Sequence, residues 1–147
     1  LAGRDGRGGG SHIAIAGDAA WADYAFDVNA QLRSGNGFEV YVRVTDPKKP
    51  DGYVFRYDAH SETLSLHVVR NGELKSKLAS VRLDRHDDWT GHDVAVQFVA
   101  AGSSLSVAVG GKTLLSAVDS TYSRGAVGLG TWGKGYVSFD DARVGAP

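Results

Sequence analysis

The segment GFEVYVRVTDPKKPDGYVFRYD, residues 37–58, contains the pattern that predicts the fold. Two runs in which apolar and polar residues alternate, 37–46 and 51–58, lie on either side of the turn-forming sequence PKKP. Alternation with a period of two is typical of a strand that has one face on a core and the other toward solvent. The segment is therefore predicted to form an antiparallel β-hairpin.

The same alternation recurs along the chain, with turn-forming sequences such as SGNG, RNGE and AAGSS between the runs. It is found in YAFDVNAQL (24–32), TLSLHVV (63–69), DVAVQFV (93–99) and SLSVAVGGK (104–112). The nearest candidate for an amphipathic helix, SKLASVRLDRHDDW (76–89), contains a β-branched valine and dense charges that disfavour a helix. Roughly ten strands with short connections predict an all-β fold, a two-sheet antiparallel β-sandwich.

Composition narrows the class of protein. The 147 residues suit one domain, and the net charge of −1 argues against a nucleic-acid partner held by a basic surface. No apolar run approaches the length needed to span a membrane.

Residues 1–11, LAGRDGRGGGS, are expected to be a flexible glycine-rich lead-in to a single domain over 12–147. A chain that opens in a loop suggests one module of a larger protein.

The alternation assigns a direction to each side chain of the hairpin. Tyr53, Phe55 and Tyr57 are expected to point inward because aromatic side chains are the most costly to leave in water. By the same reasoning the inward residues of the first strand are Phe38, Val40, Val42 and Val44. The outer face of the hairpin is then predicted to carry Glu39, Tyr41, Arg43, Arg56 and Asp58. Since cross-strand neighbours lie about 5 Å apart, these side chains should form one connected polar surface.

A late glycine-rich strand, GAVGLGTWG (125–133), extends this surface. Val127 and Leu129 are expected to point inward, and Gly128, Gly130 and Trp132 outward. Two outward glycines should leave a shallow trough beside the indole. The predicted core consists of Phe26, Val40, Val42, Tyr53, Phe55, Tyr57, Leu66, Val96, Phe98, Val107, Leu129 and Phe139.

The outer polar surface has the chemistry of a sugar-binding site. Arginine and carboxylate groups form strong hydrogen bonds with hydroxyls, and a flat aromatic ring packs against the C–H face of a sugar. The candidate sugar-binding residues are therefore Glu39, Tyr41, Arg43, Arg56, Asp58 and Trp132. Arginine–carboxylate pairs are also common on solvent faces, where they contribute little to stability, so a purely structural ion-pair network is the alternative.

The sequence contains no metal-binding or catalytic motif. Its five histidines include no H-x-x-x-H pair, and we expect no cofactor. Calcium is the alternative, because acidic residues in loops suit that ion; the candidates are Asp46, Asp51, Asp140 and Asp141. A catalytic carboxylate pair, such as Glu39 with Asp58, would need an enclosed site that raises one pKa, which an open sheet face does not provide. We therefore assign no catalytic residue.

Several segments follow the order of one known family. They are WADYAFDVNAQL (21–32), GNGFEVYVRVTD (35–46), DGYVFRYDA (51–59) and YSRGAVGLGTWGKGYVSFDDARV (122–144). Over about residues 12–145 the chain resembles the concanavalin A-like, or laminin G-like, jelly roll of carbohydrate-binding modules attached to bacterial glycoside hydrolases. It is most similar to the family 66 carbohydrate-binding modules and the related 3-keto-disaccharide hydrolase domains.

The resemblance implies a function and a setting. Family 66 modules bind the ends of fructan chains on one sheet face through acidic residues, arginine and an aromatic ring; here these are Glu39, Arg43, Arg56, Asp58 and Trp132. The chain would then be a non-catalytic, extracellular module of a secreted bacterial-like protein, with a carbohydrate ligand and a catalytic domain in the same parent chain. Two alternatives are a glycoside-cleaving enzyme of the 3-keto-disaccharide hydrolase type and a structural spacer within a large hydrolase.

Overall fold

The computed structural model describes residues 2–5, 11–46, 48–84, 89–133 and 135–147, with the backbone alone for 2–5 and 11. These residues form twelve strands and contain no helix of the length and hydrophobicity needed to cross a lipid bilayer. The strands are β1 (Ala2–Asp5), β2 (Ser11–Ala16), β3 (Tyr24–Gly35), β4 (Gly37–Thr45), β5 (Asp51–Asp58), β6 (Thr63–Arg70), β7 (Glu73–Arg82), β8 (Asp93–Ala101), β9 (Ser104–Val109), β10 (Lys112–Val118), β11 (Ala126–Trp132) and β12 (Gly135–Gly145).

The strands form two six-stranded antiparallel sheets that pack face to face. Sheet A has the order β1-β12-β3-β8-β9-β10, and sheet B has the order β2-β11-β4-β5-β6-β7. This confirms the predicted all-β sandwich. The segment that was the nearest helix candidate contributes most of β7, and its residues 85–88 lie outside the described residues.

The core lies between the sheets and is built from the inward side of the alternation. All twelve predicted core residues are buried. Phe38 packs against four aromatic rings, with centroid distances of 5.4 to 6.4 Å. Those rings belong to Phe55, Tyr57, Trp89 and Phe139. Residues from both sheets thus meet in one apolar core. Because this core uses the inward face of the β4–β5 hairpin, a ligand can bind only to the outer face of the hairpin.

The beginning of the chain is more ordered than its composition predicts. Residues 2–5 form β1, an edge strand in which Ala2 pairs with Ser138 and Asp5 with Gly135 of β12. Residues 2–5 thus form a strand within the segment 1–11, for which the sequence predicts a flexible lead-in. Backbone hydrogen bonding to an open sheet edge needs no apolar alternation, so the glycine-rich sequence did not indicate the strand. Residues 1 and 6–10 lie outside the described residues.

A β-bulge in β4 reverses the predicted directions of Arg43 and Val44. Val42 pairs with Tyr53, but Asp51 pairs with Thr45, so β4 contains one extra residue. Arg43 takes the left-handed backbone conformation, with φ of 50°. An extra residue shifts the alternation by one position. Val44 consequently joins an apolar cluster on the outer face, and the prediction that Arg43 lies on that face is wrong.

The Arg43 side chain instead crosses from sheet B to loops at the end of the sandwich, and only 1% of it is exposed. Its Nη1 donates to the carbonyl oxygens of Gly102 at 2.7 Å and Tyr122 at 3.0 Å. Its Nε donates to the carbonyl of Ala22 at 3.0 Å, and its Nη2 pairs with Asp23 at 3.1 Å. Arg43 therefore joins three loops from inside the protein and has no access to a ligand on the outer face.

Candidate functional site

The outer face of sheet B carries a row of residues in direct register. The pairing of β11, β4, β5, β6 and β7 aligns Gly130, Glu39, Arg56, Ser65 and Ser80. Directly opposite residues in antiparallel strands have their Cβ atoms about 5 Å apart, so each side chain can contact the next. This row places Glu39 and Arg56 together, as the sequence predicted.

Glu39 is held in a fixed position although it projects from the outer face, and only 1% of it is exposed. Its Oε2 lies 2.9 Å from Arg56 Nε, and its Oε1 accepts a hydrogen bond of 3.0 Å from the Tyr41 hydroxyl. Burial and the neighbouring Glu39 carboxylate raise the pKa of Tyr41 well above its usual value, so the phenol keeps its proton and donates. The carboxylate is therefore oriented before any ligand arrives.

Arg56 is sandwiched between this carboxylate and Trp132. Its Cζ lies 3.9 Å from the centroid of the Trp132 ring, which is a close cation–π contact. Gly37 makes room for the indole, because a Cβ at Gly37 would overlap the Trp132 ring and the carbonyl of Tyr57. Arg56 remains 18% exposed and Trp132 is half-buried, so both groups stay accessible to a ligand.

Two polar residues of β6, His67 and Ser65, belong to the same face and were missed as site residues. His67 is 9% exposed, and its Nε2 lies 2.9 Å from Ser65 Oγ. Burial lowers the pKa of His67 to about 4, with smaller effects from the charges of Arg56 and Lys77, so the ring is neutral near pH 7. A signal was present in the sequence, since Ser65 and His67 are out of phase with the apolar residues of TLSLHVV.

Unused hydrogen-bonding capacity is concentrated at this point. Arg56 Nε and His67 Nδ1 are the buried side-chain polar atoms that lack a hydrogen-bond partner in the described part of the chain. Arg56 Nε is within ion-pair distance of Glu39, but its N–H does not point along a hydrogen bond. Buried polar atoms in native proteins nearly always have a partner. His67 Nδ1, which has neither an ion-pair nor a hydrogen-bond partner among the described residues, marks a place suited to a polar ligand.

The glycines of β11 do not leave the open trough that the sequence predicted. A Cβ at Gly128 would lie 3.0 Å from Ile13 Cδ1, and a Cβ at Gly130 would lie 2.7 Å from the His12 carbonyl. Both glycines are buried, because they let β2 and the side chains around Glu39 approach β11 closely. An apolar cluster borders the polar row; it contains Tyr41, Val44, Val54 and Val69, with Ile13 and Ile15 packed against them.

Asp58 lies on the outer side of β5, but its carboxylate is used in a turn. Its Oδ1 accepts hydrogen bonds from the amides of His60 at 2.9 Å and Ser61 at 3.2 Å. This is the ordinary role of an aspartate that begins a turn. Of the six candidate residues, the structure thus brings together Glu39, Tyr41, Arg56 and Trp132. It places Asp58 at the end of β5 with its carboxylate bonded to the following turn, and it buries Arg43 away from this face.

The four aspartates considered for calcium do not meet. Asp46 and Asp51 lie at the turn end of the β4–β5 hairpin in sheet B, where each accepts a backbone amide. Asp140 and Asp141 lie at a bulge of β12 in sheet A. The described residues contain no cluster of three or more histidine or acidic side chains that could hold a metal ion.

Two depressions elsewhere on the protein have a less suitable chemistry. A cleft of about 770 Å³ between the sheets, beside β2, β3, β11 and β12, has a mainly apolar lining that includes Phe26, Val127 and Leu129. A depression of about 600 Å³ on the outer face of sheet A is lined by both polar and apolar groups, and none of the described residues that line it is aromatic. Its Asn29 and Asp141 are hydrogen-bonded to each other at 3.1 Å. Neither combines an aromatic ring with an oriented, buried polar group as the outer face of sheet B does.

No protein-family model matches this chain, and no curated protein matches it significantly. Solved structures do match. The carbohydrate-binding module CBM66 from Bacillus subtilis has a TM-score of 0.80 at 19% identity, over 95% of this chain and 84% of that one. A Bacillus subtilis protein of unknown function with a galectin-like fold has a TM-score of 0.76 at 13% identity, over 99% and 82%. Caenorhabditis elegans galectin LEC-6 has a TM-score of 0.64 at 14% identity, over 98% and 95%.

At these identities the similarity establishes the fold. This chain is a two-sheet antiparallel jelly roll, with the architecture found in a carbohydrate-binding module and in galectins.

Proposed function

We propose that this chain is a non-catalytic carbohydrate-binding module whose site is the outer face of sheet B. The observation that carries the proposal is the buried, oriented cluster of Glu39, Tyr41 and Arg56, with Trp132 stacked on the arginine. The shared fold with a carbohydrate-binding module and galectins supports it.

Each group of the cluster has a part in holding a sugar. A sugar hydroxyl can accept a hydrogen bond from the partly exposed Arg56 guanidinium, which the buried Glu39 carboxylate holds in place. Trp132 offers an apolar surface for the C–H face of the sugar ring. Because contacts within the protein already orient Glu39 and Arg56, little conformational entropy is lost when the sugar binds.

The ligand that we propose to test first is the end of a fructan chain, on the basis of the family 66 resemblance. Because the site is an open sheet face, it suits the terminal unit of a chain or a short sugar better than a sugar that a deep pocket must enclose. Binding of this kind is weak for one site, and several modules or a tether in the parent protein would raise the effective affinity.

We propose that the parent protein is an extracellular glycoside hydrolase, with a catalytic domain in the same chain. A tethered binding module keeps the catalytic domain close to an insoluble polysaccharide and raises the local substrate concentration. This assignment rests on the resemblance, and it predicts that removing the module from the parent protein changes where the enzyme acts and leaves its chemistry unchanged.

The geometry favours binding over hydrolysis. A glycosidase needs a pair of carboxyl groups that flank the scissile bond, one of them able to donate a proton. Glu39 lies against the Arg56 guanidinium, which suits a charged carboxylate, and Asp58 accepts two backbone amides in a turn. A structural spacer, the other alternative, would bind no glycan.

A glycan panel followed by calorimetric titration tests the proposal. Trp132→Ala should weaken binding of the best glycan by at least about tenfold, because it removes the stacking surface and frees Arg56. The matched control is Trp21→Ala, since Trp21 is 37% exposed and packs beside Gly17 and Tyr24, away from the polar row. The proposal fails if no glycan binds, or if the two variants bind equally well.

A further inference from the structure

His67 lies where a ligand held by Arg56 would extend along the sheet. It pairs with Val54 of β5 and Lys77 of β7, and its neighbour Ser65 pairs directly with Arg56. His67 is therefore diagonal to Arg56 on the same face, about 7–8 Å away between Cα atoms. The side chain is nine-tenths buried, so its polar atoms have little access to bulk solvent.

The two ring nitrogens of His67 are used differently. Nε2 lies 2.9 Å from Ser65 Oγ, whereas Nδ1 has no hydrogen-bond partner among the described residues. The serine hydroxyl can donate or accept, so its bond with Nε2 allows either tautomer of the neutral ring. Nδ1 is then an acceptor in one tautomer and a donor in the other. A hydroxyl group satisfies Nδ1 in both, whereas a carboxylate or phosphate oxygen satisfies it in only one.

The surroundings keep the His67 ring neutral, so its Nδ1 can be a hydrogen-bond donor or acceptor. Burial disfavours the protonated ring, and the positive charges of Arg56 and Lys77 add to this effect. The adjacent outward positions on β5 and β6, Val54 and Val69, are apolar and buried. The apolar neighbours of position 67 do not require a polar partner, so the histidine introduces a buried polar atom among apolar side chains.

We infer that His67 is a ligand-binding residue of this face, and that its Nδ1 exchanges a hydrogen bond with a sugar hydroxyl beside Arg56. This inference rests on the proposed function. It extends the site from Trp132 and Glu39 to β6, and it assigns an uncharged, hydroxyl-bearing part of the ligand to the position between Arg56 and His67.

Two substitutions separate this role from a structural one. Glutamine places its amide near the position of Nε2 and can keep the bond to Ser65, whereas asparagine places its amide near Nδ1. The probe is a fructan oligosaccharide, or the strongest glycan of the panel if that one binds more tightly. His67→Gln should fold normally and lose about tenfold in affinity, the usual effect of one hydrogen bond. His67→Asn should bind within about threefold of wild type.

A structural role would give the opposite order. His67→Gln would then bind like the wild type, while His67→Asn would lose thermal stability and affinity together, and that result would overturn the inference. A second readout is the ¹⁵N resonance of His67 Nδ1 in long-range ¹H–¹⁵N spectra, which should shift when the same glycan saturates the protein.

The outcomes also separate this inference from the proposed function. If the wild type binds no glycan, both fail. If Trp132→Ala abolishes binding while His67→Gln leaves the affinity unchanged and the Nδ1 resonance does not move, the sugar site stands and the role of His67 is disproved.

Discussion

The two arginines of the central hairpin have different environments and different tasks. Arg43 donates to three backbone carbonyls and to Asp23 inside the protein. Arg56 lies on the outer face between Glu39 and Trp132. Their residue type and strand context are the same in the sequence, so only the bulge at Arg43 separates a structural arginine from a candidate binding residue.

Arg43→Ala should destabilise the protein by about 3–5 kcal/mol, because it leaves the carbonyls of Ala22, Gly102 and Tyr122 without their donor. Urea unfolding measures the loss. Asp23→Asn is the control: Asp23 is largely exposed, and an asparagine keeps an oxygen for the amide of Gly102, so the change should stay within about 1 kcal/mol. A stable Arg43→Ala variant with weakened sugar binding would contradict this assignment.

His67 should make stability depend on pH. Its pKa is lowered to about 4, mainly by burial, whereas a histidine in an unfolded chain titrates near about 6.5. Between these values the unfolded state binds more protons, so stability falls as the pH is lowered through this range. After allowance for solvent screening, the loss is about 1–2 kcal/mol. Urea unfolding at about pH 7, 5 and 4 should show this loss in the wild type and a flatter profile in His67→Gln; equal slopes would refute the prediction.

At the scale of the elements, the alternation of apolar and polar residues was sufficient to predict most strands and their faces. This alternation failed to predict the structure where backbone pairing between strands, and not the side-chain pattern, decides the conformation. The short strand β1 has no apolar alternation, and the bulge of β4 is opposite Gly52, whose missing side chain accommodates it. A Cβ at Gly52 would lie 2.8 Å from the Arg43 carbonyl, so this glycine was an indirect sign of the bulge.

The close approach of β2 to β11 predicts a specific sensitivity at Gly130. Gly130→Ala should cost about 1–3 kcal/mol and weaken sugar binding, because the new Cβ would lie 2.7 Å from the His12 carbonyl and 3.4 Å from Glu39 Oε1. Gly145→Ala on β12 is the control, since its Cβ would meet nothing within 4 Å and stability should change by less than about 0.5 kcal/mol. Equal thermal stability of the two variants would show that β11 tolerates the added methyl group.

At the scale of the whole molecule, one core holds both sheets, and its loss should be felt throughout. Phe55 is fully buried and packs against Phe38. Phe55→Ala should reduce the free energy of unfolding by about 3–5 kcal/mol as a cavity mutation. Chemical unfolding followed by far-ultraviolet circular dichroism measures this, and the wild-type spectrum should show almost no helix. A loss below about 0.5 kcal/mol would contradict the face assignment.

Prediction of the molecule as a whole was more complete for the fold than for the site. Periodicity placed Glu39, Tyr41, Arg56 and Trp132 on one face because strand geometry fixes side-chain direction. The contribution of β6 depends on hydrogen bonding at His67 that no spacing rule reveals. Asp58 has the right direction, but a local turn uses its carboxylate. The position of a residue in the alternation predicts which way its side chain points. The neighbouring groups decide whether that side chain is available to a ligand.

The central claim is that the outer face of sheet B binds a sugar. The most direct test follows the NMR signals of the three tryptophans of the chain while a sugar is added. Trp132 lies on that face, Trp89 packs against the core, and Trp21 lines the apolar cleft between the sheets. Their indole N–H signals can be followed in a ¹H–¹⁵N correlation spectrum during titration with a fructan oligosaccharide or the strongest glycan of the panel. We expect the Trp132 signal to shift with saturation while the Trp21 signal stays in place. A shift of Trp21 alone, or of backbone signals confined to the outer face of sheet A, would contradict the claim.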